Sequence, residues 1–151
     1  KTHLLQRHGI ETGMFIMLGY DGETVHDLEA TVDHLKQSNP DIFLTTVAYP
    51  IKGTPYYAEV ESRILTDRPW EHRSDRDLTI SGRYSRRFYQ FATRWMVNEV
   101  ALHRARTTGG VPFKRRAKLW INARLGWLGM RLTQGSREHR GRPLYEQPAG
   151  L

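Results

Sequence analysis

The sequence predicts an α/β fold: one βαβ unit followed by an α-helical C-terminal extension. Three observations predict it. An apolar run, Phe15-Ile16-Met17-Leu18, stops at a turn with two glycines, Gly19-Tyr20-Asp21-Gly22. A helical spacing of apolar residues then leads, through Asn39-Pro40, to a β-branched and aromatic run from Ile42 to Ala48. Beyond residue 83, two long stretches carry aromatic and aliphatic residues at helical intervals among many arginines.

Each element has a local cause. Leu4, Leu5 and His8 read as the last turns of a helix that ends at Gly9. The run from Phe15 to Leu18 has the short, unbroken apolar character of a buried parallel strand. Gly19 and Gly22 permit the turn that stops it. Thr24 is placed to cap the next helix, with Asp27 three residues on in a capping-box-like arrangement. Val25, Leu28, Val32 and Leu35 form one apolar helical face. Asn39-Pro40 ends the helix, because a residue before proline is driven out of helical geometry. Ile42 to Ala48 is the second strand, and Tyr49 to Thr54 its exit loop. The two strands must be parallel, so the turns Gly19–Glu23 and Tyr49–Thr54 leave the same edge of the sheet. Ligands of α/β folds collect at that edge. The helix amino end near Thr24, with unpaired N–H groups, points there too.

These two turns also carry a family resemblance. Phe15-Ile16-Met17-Leu18 followed by Gly19-Tyr20-Asp21-Gly22-Glu23-Thr24 resembles the strand and Gly-x-Pro-Gly-Glu-Thr signature of radical S-adenosylmethionine enzymes, with Asp21 at the usual proline. Pro50-Ile51-Lys52-Gly53-Thr54-Pro55-Tyr56-Tyr57 resembles the Pro-x-x-Gly-Thr-Pro-x-Tyr loop after the family's next strand. The pair is most similar to the cobalamin-binding branch, which includes methyltransferases and ester cyclases. The resemblance implies that residues 1–57 are the C-terminal part of a partial (β/α) barrel of the radical S-adenosylmethionine type. It implies that Ile16, Leu18, Gly19, Gly22, Glu23, Val47, Ala48 and Tyr49 bind S-adenosylmethionine, with Lys52 and Tyr56 toward the substrate side. It further implies a [4Fe-4S] cluster, which generates a 5′-deoxyadenosyl radical, and cobalamin on an upstream domain. The family's three cluster cysteines have no counterpart, because this chain has no cysteine. The expectation is therefore a C-terminal fragment of a longer enzyme, inactive alone, with the rest of that polypeptide as its partner. Two parallel strands cannot bury both faces by themselves, which points the same way.

Composition narrows the class further. No run approaches the ~18 apolar residues of a membrane span, and with a mean hydropathy of −0.62 the expected compartment is the cytoplasm. Charge is divided unevenly. Residues 1–65 carry five Lys and Arg against nine Asp and Glu, a net of −4, while residues 66–151 carry eighteen against seven, a net of +11. Residues 58–82 read as a connecting segment, with a helical turn from Glu59 to Ile64 and a short edge strand from Asp77 to Ile80. Trp70 within it is either a lid across a barrel mouth or the pin of a surface loop.

Residues 83–133 read as a basic amphipathic helical extension. Tyr84, Phe88, Phe91, Trp95 and Leu102 share one helical face over residues 83–106, and Gly109-Gly110 ends that helix. A second helix begins at Val111-Pro112, with Ala117, Ile121, Leu125, Leu128 and Leu132 on one face. Gly126 and Gly129 lower its helix propensity and leave room for another helix to approach. Such aromatic stripes are usually core; the basic faces also suit RNA, through phosphate contacts and base stacking, or an anionic membrane surface. A small interaction module of that kind is the alternative to the enzyme reading. Residues 134–151, rich in Gly, Arg, Ser and Pro, read as a disordered tail. His26 and His34 sit eight residues apart, about 12 Å along a helix, too far to share a metal. Glu23 either holds its turn near the nucleoside or complements the helix dipole.

Overall fold

The computed structural model describes residues 1–66, 74–139 and 142–143. Its elements, in order, are α1 (Thr2–Arg7), β1 (Gly13–Leu18), α2 (Val25–Ser38), β2 (Ile42–Val47), α3 (Pro55–Val60), β3 (Ile64–Thr66), β4 (Thr79–Ile80), α4 (Arg86–Thr107), α5 (Phe113–Thr133) and β5 (Arg142–Pro143). The fold is mixed α/β with two small sheets, and the described residues form no closed barrel.

The βαβ unit is present as the sequence predicts. β1 and β2 pair in parallel from Gly13↔Ile42 to Leu18↔Val47, and α2 crosses between them. Thr24 caps α2 in a capping box with Asp27, and Asn39 closes it in the left-handed region at φ 42°. Asp41 ties the strand entrances together: its Oδ2 accepts from the Thr12 N–H at 2.7 Å and from the Thr12 hydroxyl at 2.8 Å.

The sheet's two faces differ. Met14, Ile16, Leu18, Phe43 and Val47 turn toward the helices, where they pack with Leu28, Val32 and Leu35 of α2 and Phe88, Ala92 and Met96 of α4. The opposite face is open. Phe15 is 85% exposed, Met17 60%, Ile42 59% and Leu44 52%, and β1 and β2 pair with no other strand among the described residues.

α4 and the residues just before it lie along β2 and clamp both its ends. At the carboxyl end, the Arg83 guanidinium donates to the Ala48 carbonyl. At the amino end, Arg104 donates to the Pro40 carbonyl and, at 3.4 Å, to that of Asp41. α4 starts at Arg86, later than the sequence suggests. Ser85 is its N-cap, accepting from the Phe88 N–H, so Arg83 and Tyr84 precede the helix. Phe88, Trp95 and Leu102 are buried as their spacing predicts, and Tyr89, Met96 and Val100 are buried as well. A helix covered on two sides needs a wider apolar face than one stripe supplies.

α5 corrects the sequence reading. The face of Ala117, Ile121, Leu125, Leu128 and Leu132 is not the packed one: the last four are 49%, 48%, 49% and 77% exposed. The packed face is made of Ala123, Gly126 and Met130. A Cβ at Gly126 would lie 2.6 Å from the Trp95 backbone nitrogen, and one at Gly129 would lie 2.4 Å from the Phe91 ring. The two glycines therefore admit α4 at close range, as their positions suggest. Arg131 fastens α5 to α2 through Glu29 at 3.0 Å.

The second sheet has the order β4-β3-β5, antiparallel throughout. Thr79–Ile80 is the expected short strand, and Tyr57, Val60, Ile64, Leu78 and Ile80 form a small core beneath it. Thr54 caps α3, and a 3-10 turn at Glu61–Arg63 follows where a helical turn is expected. The described part of the tail pairs with the rest of the fold. Glu138 N–H donates to the Arg83 carbonyl at 2.7 Å, Gly82 N–H to the Glu138 carbonyl at 3.0 Å, and Arg142–Pro143 pairs with Leu65 and Thr66. These backbone bonds offset the low apolar content of the segment. Trp70 and the remainder of the tail lie outside the described residues.

Candidate functional site

The two turns at the carboxyl ends of β1 and β2 meet as the parallel pairing requires. Gly19 has φ +78° and Gly22 φ +81°, which a side-chain-bearing residue would adopt only under strain. Glu23 folds back so that its Oε2 accepts from the Gly19 N–H at 2.7 Å. This bond is the turn-holding role. Burial raises the Glu23 carboxyl above the ordinary value of 4.5, and the Gly19 hydrogen bond opposes the rise.

Gly19 has a second reason to lack a side chain. A Cβ there would sit 2.9 Å from Cζ of Tyr89. Tyr89 comes from the first turn of α4, and burial pushes its phenol far above the ordinary range. Arg83 lies 5.4 Å from the centroid of that ring. One Arg83 guanidinium nitrogen reaches both strand ends, donating to the Ala48 carbonyl and, at 3.4 Å, to the Gly19 carbonyl. Its Nε is buried without a hydrogen-bond partner.

Beside this clamp is a pocket of about 510 Å³, lined by Val47, Ala48, Tyr49, Thr79, Arg83, Arg86, Tyr89 and Gln90 among others. Its charged side chains are Arg83 and Arg86. Across the rim, Tyr20 stacks on Tyr56 with centroids 4.7 Å apart. The Asp21 carboxylate accepts from Arg63 at 2.8 and 3.2 Å, and this bonding holds Asp21 below its ordinary value. The Tyr56 hydroxyl is buried without a partner, and burial raises its pKa.

The expected site residues thus fall into two groups. Gly19, Glu23 and Ala48 come together around Arg83 and Tyr89, with Val47 and Tyr49 on the pocket wall and Gly22 exposed at the rim. Ile16 and Leu18 turn away from the open face into the helix-covered core, half-buried and fully buried respectively. Lys52 is exposed on its loop. Arg63, Arg83 and Tyr89 have no signal in the sequence beyond their composition, since they reach Asp21, Gly19 and Ala48 from 35 to 70 positions away. Among the described residues, no three His, Cys, Asp or Glu side chains converge as a metal site, and no helix is long and apolar enough to cross a membrane.

Comparison with known proteins adds no relative: no family model matches the chain, and neither a curated protein nor a solved structure matches it.

Proposed function

We propose that this chain supplies part of the S-adenosylmethionine and substrate wall of a radical S-adenosylmethionine-type barrel, in an enzyme of the cobalamin-binding, methyltransferase- or cyclase-like kind. One observation carries the reading. The two family-like turns leave the same edge of one in-register parallel pair, beside a sheet face whose apolar residues nothing in the described chain covers. Phe15, Met17 and Leu44 offer an apolar bed of the kind a purine takes, and the rim supplies backbone groups at Gly22 and Tyr49. On this reading Ile16, Leu18 and Val47 act through backbone atoms and support the open face from behind, while Glu23 fixes the turn. S-adenosylmethionine fits such a surface. A [4Fe-4S] cluster does not fit this chain, which has no thiolate to hold one, so no step is assigned to a cluster here.

The experiment is to read the gene upstream of the Lys1 codon. The proposal expects an open frame that encodes Cys-x-x-x-Cys-x-x-Cys after a strand pattern. A start codon directly before Lys1 overturns it. In the longer polypeptide, Leu44→Asp lowers S-adenosylmethionine affinity by at least about tenfold, with far-ultraviolet circular dichroism checking that the fold is kept. Unchanged affinity counts equally against the proposal.

A further inference from the structure

The outward apolar face of α5 has no role in the core or at the rim. Ile121, Leu125, Leu128 and Leu132 form a stripe about 16 Å long on the helix surface, each roughly half exposed or more. Trp120, 47% exposed, and Phe113, 82% exposed, flank it about a quarter-turn round the helix. Isolated exposed leucines are ordinary, but a continuous row on one helix face marks a contact surface.

Charge selects the occupant. α5 carries Lys114, Arg115, Arg116, Lys118, Arg124 and Arg131 and not one Asp or Glu. Lys118 stands at one border of the stripe and Arg124 at the other, with Lys114 in line with it toward the helix start, where long side chains can lay their stems on apolar material and keep their charges in water. Between the start of α5 and the end of α4, a groove of about 300 Å³ pairs Arg106 and Arg116 with Phe113 and Trp120. A parallel second copy would set these cations against one another with no acid on the helix to neutralise them, and an antiparallel one would leave them without a countercharge. RNA would satisfy the cations and find rings at Trp120 and Phe113, but it would leave the row of Ile121, Leu125, Leu128 and Leu132 without an apolar partner. A surface that is apolar along its axis, cationic at its borders and carries an amphipathic tryptophan matches an anionic bilayer interface on every count.

We propose that the outer face of α5 docks the protein in the plane of an anionic lipid membrane, with Ile121, Leu125, Leu128 and Leu132 entering the headgroup boundary. The test is sedimentation of the full chain with phosphatidylcholine vesicles, with and without about 30% phosphatidylglycerol. The chain should pellet with the anionic vesicles and stay in solution with the neutral ones. Raising salt from about 0.05 to about 0.5 M should weaken binding by about tenfold or more. Leu125→Glu combined with Leu128→Glu should abolish pelleting while the circular dichroism stays unchanged, because both positions face solvent. Lys114→Glu with Lys118→Glu, at exposed positions, should lower it at least about tenfold. Four outcomes overturn the proposal: no pelleting with anionic vesicles, equal pelleting with neutral ones, full binding by the leucine variant, or a dimer in light scattering that the leucine variant dissolves. Release from vesicles by polyuridylate that binds the leucine variant as tightly as the parent chain also overturns it, assigning the cations to nucleic acid.

Discussion

Gly126→Ala sets two sizeable effects against each other at the α4–α5 contact. Alanine favours an isolated helix over glycine by about 1 kcal/mol. In this protein the added methyl would lie 2.6 Å from the Trp95 nitrogen, 2.8 Å from its Cα and 3.0 Å from its Cβ. Comfortable contact begins near ~3.5 Å, so the helices must part by nearly an ångström. The atoms in the way are backbone, and no rotamer change relieves them. Overpacking of this kind costs about 1–3 kcal/mol, and the separation also loosens Ala123 and Met130 against α4. The net expectation is a loss of up to about 2 kcal/mol, or up to roughly 8 °C in Tm for a chain of this size. Gly129→Ala meets the Phe91 ring instead, at 2.4 Å; a ring can swing aside, so its loss should be the smaller. Urea titration followed by tryptophan fluorescence and far-ultraviolet circular dichroism measures both. If Gly126→Ala raises Tm, propensity outweighs the contact and the close-approach account of α5 is wrong.

Other perturbations test the rim and the strand entrances. Arg83→Met removes the guanidinium from the Ala48 and Gly19 carbonyls and should cost about 2–3 kcal/mol in denaturant unfolding; a neutral result would mean that the clamp is dispensable. Tyr56→Phe deletes a buried hydroxyl that has no partner, so thermal melting should show no loss or a gain of up to about 1 kcal/mol. A clear loss would reveal a hydrogen bond there. Two carboxylates should show opposite pH signs. Asp41 is held below 3.8 by the Thr12 N–H, the Thr12 hydroxyl and Gln6, so its contribution is present above 3.8 and lost as pH falls through the lower folded value. Asp41→Asn should flatten the acid-side decline in Tm. Glu23 is raised above 4.5, chiefly by burial, so its contribution is full below 4.5 and lost as pH rises through the folded value. Glu23→Gln should therefore gain in Tm relative to the parent as pH rises from about 4 to about 7; parallel profiles would refute the assignment.

The βαβ unit was legible because its signals are local. The capping box at Thr24, the Asn39-Pro40 stop and the β-branched run from Ile42 each act within a few residues. So did the turn, where Gly19, Gly22 and Glu23 carry their own geometry. The orientation of α5 was not legible, because periodicity of large apolar residues locates a stripe but not what covers it. The buried contact instead selected Ala123 and Gly126 for their smallness, which a hydrophobic pattern does not register. β3 and β5 are three and two residues long, too short for alternation to show, and Leu65 finds Pro143 only through the tertiary fold. Arg83 and Tyr89 fall within the stretch read as a basic amphipathic helix, with Tyr89 outside its apolar stripe; their approach to Gly19 depends on how α4 lies along β2.

The Arg83 clamp also has a consequence for the order in which the molecule is assembled. It joins position 83 to positions 19 and 48 through its side chain and to position 138 through its backbone. Each link closes a loop of 35 to 64 residues, and loop-closure entropy must be met before such contacts stabilise anything. α2 and the α4–α5 pair rest on nearer neighbours and can form ahead of it. The rim is thus the part of the protein completed last and opened first, and slow hydrogen exchange should fade there, at the Gly19 and Glu138 amides, before it fades in α4.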